Sequence, residues 1–169
     1  FALAPRGEPV RISLVGEGNL FLETALHLVP GALLEVKKPT EPPHPDSDLI
    51  VYDGLVPDQD DIPSGSLLFI APPSNTPYFT VTGLLKNPLP KAAEPQDPAF
   101  EEIDLSGINI LDAVEITPPL WAKSIIENSS SPNPRPPLLM VGEPDGRRIA
   151  VLAFSLKRSD LPLQVAFPI

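Results

Sequence analysis

The chain has 169 residues, of which 42% are hydrophobic, with a formal net charge of −10 and no cysteine. That length suits one domain with a sizeable core. The acidity, with lysines and arginines scattered rather than striped, excludes a polyphosphate partner, so nucleic acid is not expected. The missing cysteine excludes disulfides, thiolate nucleophiles and zinc–thiolate sites.

Proline is the compositional anomaly, with 25 residues. They cluster at Pro39 to Pro45, Pro72 to Pro77, Pro88 to Pro98 and Pro132 to Pro137, between apolar runs rather than inside them. Proline fixes φ and lacks an amide hydrogen, so these clusters predict stiff, helix-poor connections between short elements. No apolar run approaches the ~18 residues that span a bilayer, so no direct membrane insertion is expected.

In chain order, Val10 to Gly16 reads as a buried strand. A helix follows from about Leu20, with Asn19 as its cap and Leu22, Ala25, Leu26 and Val29 as its buried face. Pro30-Gly31 ends it. Ala32 to Lys38 is a second strand, Leu49 to Asp53 a third and Leu67 to Ala71 a fourth. The apolar continuity of LIVY and LLFI fits strands covered on both faces of a parallel sheet. Only nine residues, rich in proline, separate Lys38 from Asp48, too few for an ordinary crossover helix.

The second half changes character. YFTVTGLL, INILDAVEI, WAKSIIENS, LLMVGE and RRIAVLAFSL are all strand-like, and the last two flank a hairpin signal, Pro144-Asp145-Gly146. Trp121 is a packing anchor. LPLQVAFPI is written like the start of a helix, with Leu163, Ala166 and Phe167 on one face and Pro162 in the first turn. The abrupt ends at Phe1 and Ile169 are read as those of a domain excised from a longer protein.

Candidate sites gather where strands hand over to helices. Gly16-Glu17-Gly18-Asn19 matches only the first two glycines of a dinucleotide fingerprint, with Phe21 in the third place and Lys37-Lys38 where a ribose-binding acid belongs. A tight turn into a capped helix is the simpler reading. Asp53 ends the third strand as a phosphoacceptor would, but the first strand lacks the acidic pair that holds magnesium. A loop-capping role is expected instead. His27, the group His44, Asp46 and Asp48, and the cluster Asp58, Asp60 and Asp61 lack the ligand count and geometry of a metal site. No G-x-S-x-G elbow exists. After the fourth strand stands Ala71-Pro72-Pro73-Ser74-Asn75, whose prolines cannot donate oxyanion-hole amides. No cofactor, metal or catalytic residue is expected.

Taken together, VGEGNLFLETAL, DLIVYDG, LLFIAPP, PLLMVGEPDGRRIAVLAFSL and SDLPLQVAFPI resemble the domain that follows the von Willebrand factor A module in bacterial, membrane-anchored proteins of the aerotolerance type. The resemblance runs from about Pro9 to Ile169. It implies a class I glutamine amidotransferase-like fold, a flavodoxin-like sheet. Active members carry a cysteine in an elbow after a central strand. Here Ala71-Pro72-Pro73 stands in that region, so the resemblance implies a degenerate, non-catalytic relative.

The expectation is therefore a helix-poor α/β domain over residues 1–169, with a flavodoxin-like, class I glutamine amidotransferase-like mixed sheet and antiparallel β additions in its second half. The function expected is structural or protein-interacting, within a cell-envelope protein of the von Willebrand factor A type. Its partners would be other domains of the same chain and envelope proteins. Its setting would be the cell membrane through the parent, on the extracytoplasmic side. The alternative is a small-molecule-binding domain or weak hydrolase whose sheet edge is lined by Glu17, Asn19 and Asp53.

Overall fold

A computed structural model describes residues 9–58, 62–95 and 104–163. The first strand, β1 (Val10–Gly16), leads into α1 (Leu20–His27), followed by β2 (Ala32–Lys37), β3 (Leu49–Asp53) and β4 (Ser66–Ile70). Beyond them lie β5 (Thr80–Lys86), β6 (Pro90–Ala92), β7 (Asp112–Thr117), β8 (Ala122–Asn128), β9 (Pro137–Gly142) and β10 (Ile149–Leu152). Among the described residues α1 is the one α-helix. The helix-poor α/β reading is borne out.

The main sheet has eight strands in the order β2-β1-β3-β4-β10-β9-β8-β6. The pairs from β2 through β10 are parallel, and those from β10 through β6 are antiparallel. The mixed sheet with antiparallel additions is thus observed. The hairpin expected around Asp145-Gly146 joins β9 to β10, and left-handed Asp145 (φ 52°) and Gly146 (φ 76°) make its turn.

Four expectations change. β5 does not join the main sheet but pairs with β7 in a separate two-stranded sheet. β6 begins at Pro90, inside a stretch read as a breaker. It lies at the sheet's edge, where a residue without an amide hydrogen costs no ladder bond. Val29 is 40% exposed rather than part of the helix's buried face, because α1 ends at His27 and Val29 lies beyond its last turn. The helix expected across LPLQVAFPI is a 3₁₀ turn over Leu161–Leu163, and Gln164 to Ile169 lie outside the described residues.

Two apolar clusters coat the two faces of the sheet. One gathers Ile12, Leu14, Val51 and Ile70 under Leu22 and Leu26 of α1 and Leu156 of the segment after β10. The other gathers Val15, Ile50, Tyr52, Phe69 and Val151 under Phe79, Ile108, Ile110, Ala113 and Ile116, so the β5–β7 sheet and its flanking loops cover that face. Phe69 is fully buried at its centre, stacked on Tyr52 with ring centroids 5.5 Å apart and edge-on to Phe79 at 5.3 Å. Trp121 packs at the rim of this cluster and donates its indole N–H to the Tyr78 carbonyl at 2.9 Å, the anchoring role read from the sequence.

The segment after β10 is laced to the approach of β7. Leu111 N donates to the Arg158 carbonyl at 2.9 Å, and Asn109 bonds the Asp160 carboxylate with both its backbone and side-chain N–H groups at 2.7 Å. Arg158 grips Asp112 through two N–H groups, the Nε contact being 2.7 Å, and Lys86 Nζ lies 3.5 Å from the same carboxylate. The bonded guanidinium, against a smaller opposing push from burial, holds the Asp112 carboxyl below its ordinary value of 3.8. A depressed folded pKa contributes stability above the unfolded value and loses it as pH falls through the folded one. Asp112→Asn is therefore expected to melt lower than the native chain at neutral pH. The gap should stay level down to about pH 5 and close below pH 3.8. Thermal melts of both proteins across this range check it.

The proline loop between β2 and β3 is pinned from below. Ser13, fully buried in β1, shares a 2.8 Å hydrogen bond with Ser47 and accepts another from His44 N at 3.0 Å. Asp48 closes the loop, its N–H donating to the Arg11 carbonyl at 2.9 Å and its carboxylate accepting from Arg11 N at 2.8 Å. Gly65, just before β4, packs against this loop at φ 121°, and a Cβ there would stand 2.5 Å from the Ser47 carbonyl oxygen. Gly65→Ala should cost about 2–4 kcal/mol, since neither backbone can give way. Gly54→Ala meets open space at φ 73° and should cost only about 1–2 kcal/mol. Urea unfolding of the two variants measures the difference.

Candidate functional site at the carboxyl edge of the sheet

β1 and β3 are neighbours in register, with Gly16 paired to Asp53 at their carboxyl ends. A Cβ at Gly16 would sit 3.2 Å from the Asp53 Cβ and carbonyl oxygen, so the two strand ends meet closely only because one is glycine. Two of the three expected edge residues come together there. Asn19, 2% exposed, donates from Nδ2 to Asp53 Oδ2 at 3.0 Å. Glu17 is exposed, and no hydrogen bond joins it to the other two.

Asn19 is engaged through both its side chain and its backbone. Its Oδ1 accepts from Leu22 N at 3.3 Å, the cap foreseen from the sequence, while its own N–H donates to Glu23 Oε1 at 3.2 Å. One of the free amides at the start of α1, that of Leu22, is thereby capped. Asp53 was expected to cap the loop after β3. Instead it reaches back to Asn19, because register places it beside the β1–α1 turn. The loop after β3 is held by Gly54 N donating to the Ile70 carbonyl at 2.8 Å. Lys157, which sequence reading did not single out, crosses from the segment after β10 to donate to the Gly18 carbonyl.

After β4 the chain turns sharply at Ala71, whose φ of 45° lies in the left-handed region. Its N–H donates to the Leu152 carbonyl at 2.8 Å, Pro72 is buried, and Ser74 is exposed. Asn75 Oδ1 and Thr76 Oγ1 accept backbone N–H groups of Val81, Tyr78 and Phe79, leading the chain into β5. His27 lies on α1 with Nδ1 2.8 Å from the Glu23 carbonyl, and His44 Nδ1 accepts from Asp46 N at 3.1 Å. Both histidines are bound locally. No cluster of three metal-ligating side chains occurs among the described residues. Asp60 and Asp61 of the expected acidic cluster lie outside them.

On the sheet face opposite α1, a cleft of about 430 Å³ opens between the loop after β2 and the loop after β3. Val15 and Tyr52 line it from the strands, with Thr40, Glu41, Pro42 and Pro43 on one side and Leu55, Val56, Pro57 and Asp58 on the other. Sequence reading missed this cleft. The one available signal was the proline loop too short for a crossover helix.

No protein-family model matches the sequence, and no curated protein matches it significantly. The fold is nonetheless shared with solved structures. A cytoplasmic protein from Salmonella typhimurium LT2 aligns at a TM-score of 0.65 and 12% identity, over 86% of this chain and 88% of that one. A second cytoplasmic protein from Salmonella typhimurium aligns at 0.62 and 14% identity, over 86% and 88%. The carbohydrate deacetylase Agd3 aligns at 0.57 and 10% identity, over 85% of this chain but only 29% of its own. At such identities the likeness establishes the fold and leaves chemistry open.

The comparison corrects the expected setting. Two structures that share the fold along most of their length are described as cytoplasmic proteins, which overturns the cell-membrane, extracytoplasmic placement. Among the described residues no helix is long and apolar enough to cross a membrane. The placement had come with the resemblance; nothing in an α/β sheet of this kind depends on the compartment.

Asn19 gives this edge a direct test. Asn19→Ala removes the cap and strands Asp53, and should cost about 1–2 kcal/mol. Asn19→Asp keeps the cap but sets a second carboxylate against Asp53. It should destabilise at pH 7 and recover as acid protonates one of the two groups. Melting curves of Asn19→Asp at pH 7 and pH 4.5 check the recovery, which Asn19→Ala should not show.

Proposed function

We propose that the chain is a non-catalytic, class I glutamine amidotransferase-like domain of a von Willebrand factor A-type protein, acting through contacts with other domains of the same chain. The strand order β2-β1-β3-β4-β10 supports the flavodoxin-like part of this reading, since it follows the 2-1-3-4-5 pattern of such sheets. The observation that carries the reading is the turn after β4. Ala71 keeps the left-handed backbone of a sharp strand-to-loop elbow, yet the side chain there is a methyl group and two prolines follow. Such a turn has the shape of a nucleophile elbow and lacks both nucleophile and amide donors.

The test uses the longer parent that the resemblance implies, intact and with residues 10–163 deleted. Affinity capture of a separately produced von Willebrand factor A module is expected from the intact remainder of the parent and to fall at least about tenfold on deletion, a loss of about 1.4 kcal/mol. Equal capture by both would overturn the interaction role. Ammonia release from glutamine, or ester cleavage above the buffer rate, would overturn the non-catalytic one.

A further inference from the structure

We propose that the cleft between the β2–β3 loop and the loop after β3 binds a small organic cation with an apolar body. The inference goes beyond the interaction role and rests on different residues. The cleft follows from a missing element: where a doubly wound sheet would carry a crossover helix, a short proline loop passes over the face opposite α1 and leaves a groove between itself and Leu55, Val56 and Pro57, floored by the buried Val15 and Tyr52. Its volume of about 430 Å³ falls in the size range of small-molecule sites.

The walls are preorganised. Val15 and Tyr52 are core residues of β1 and β3. The loop bearing Glu41 is anchored by buried Ser13 to Ser47 and His44, and proline rings face the cleft from both sides. Little conformational freedom is left for a ligand to freeze.

Charge selects the ligand. Among the described residues, Glu41 and Asp58 are the charged groups that line the cleft, and no lysine or arginine does. Among the described residues neither carboxylate is in an ion pair, and Glu41 spends one oxygen on the Lys38 N–H at 2.7 Å. The net charge of −10 adds an attractive field for cations. Both carboxylates are exposed at the rim, so the preference for a cation over an anion of the same shape should be modest, about 5- to 10-fold.

The probes are phenethylammonium, 2-phenylethanol and phenylacetate, titrated at low salt into the ¹⁵N-labelled protein to about 10 mM, a range suited to fragment-sized ligands. Phenethylammonium is expected to shift the Thr40, Glu41, Leu55 and Val56 amides saturably and to bind about 5- to 10-fold more tightly than phenylacetate. Glu41→Gln with Asp58→Asn, which keeps the hydrogen-bond acceptor at position 41, should bring that ratio near unity. Val56→Trp, or Thr40→Trp at an exposed position should the first variant misfold, should abolish binding by filling the cleft. The proposal is overturned if none of the probes shifts these amides saturably. It is equally overturned by saturable shifts confined to other residues, or by a cation preference that survives the double substitution. None of these outcomes bears on capture of the von Willebrand factor A module, so the two readings fail separately.

Discussion

The structure is organised by the burial of β3 and β4 on both faces. Ile50, Val51, Tyr52, Phe69 and Ile70 are consecutive or nearly so and almost fully buried, which an amphipathic, one-sided strand would not allow. A strand buried on both sides needs a cover on each face, and this chain has one eight-residue α-helix to offer among its described residues. Parts of the second half answer that need. The segment after β10 joins α1 on one face through Leu156 and Leu161, while Phe79, Ile108, Ile110 and the β5–β7 sheet close the other.

The same shortage of helices shapes the surface. Where β2 runs to β3 without a helix, a groove opens between the two loops above buried Val15 and Tyr52. Where β4 would pass to a helix, the chain turns at Ala71 and leaves to build the β5–β7 cover before β10 returns to pair with β4. Polar groups along the carboxyl edge are spent on holding these departures in place. Asn19 joins the helix start to Asp53, Lys157 ties the segment after β10 to the β1–α1 turn, and Asn75 and Thr76 steer the chain into β5. Glu41 and Asp58, two carboxylates that are in no ion pair among the described residues, sit at the groove between the two loops.

Likeness to known folds carries different weight at different levels here. Structures at 10–14% identity agree on the path of the chain, and that agreement is physical, since few arrangements cover a doubly buried sheet. They do not agree on residues, which is the level at which function is written. The setting reached past both levels, and two structures that share the fold correct it.

What the sequence determined by itself was local. The extents of β1, α1, β2, β3 and β4 were legible to within a residue or so, because apolar runs, a capping asparagine and proline breaks act within a few positions of themselves. The absence of a β2–β3 helix was legible for the same reason. Only the tertiary structure decided which strands pair. That β10 lies beside β4, that β5 leaves the main sheet for β7, and that a strand starting at Pro90 finds an edge all depend on contacts between distant residues. It decided the site as well: Asp53 meets Asn19 rather than its own loop, and the cleft forms between two loops whose sequences each read as mere connection. Pairing register and uncovered faces are properties of the assembled sheet, so no single segment could announce them.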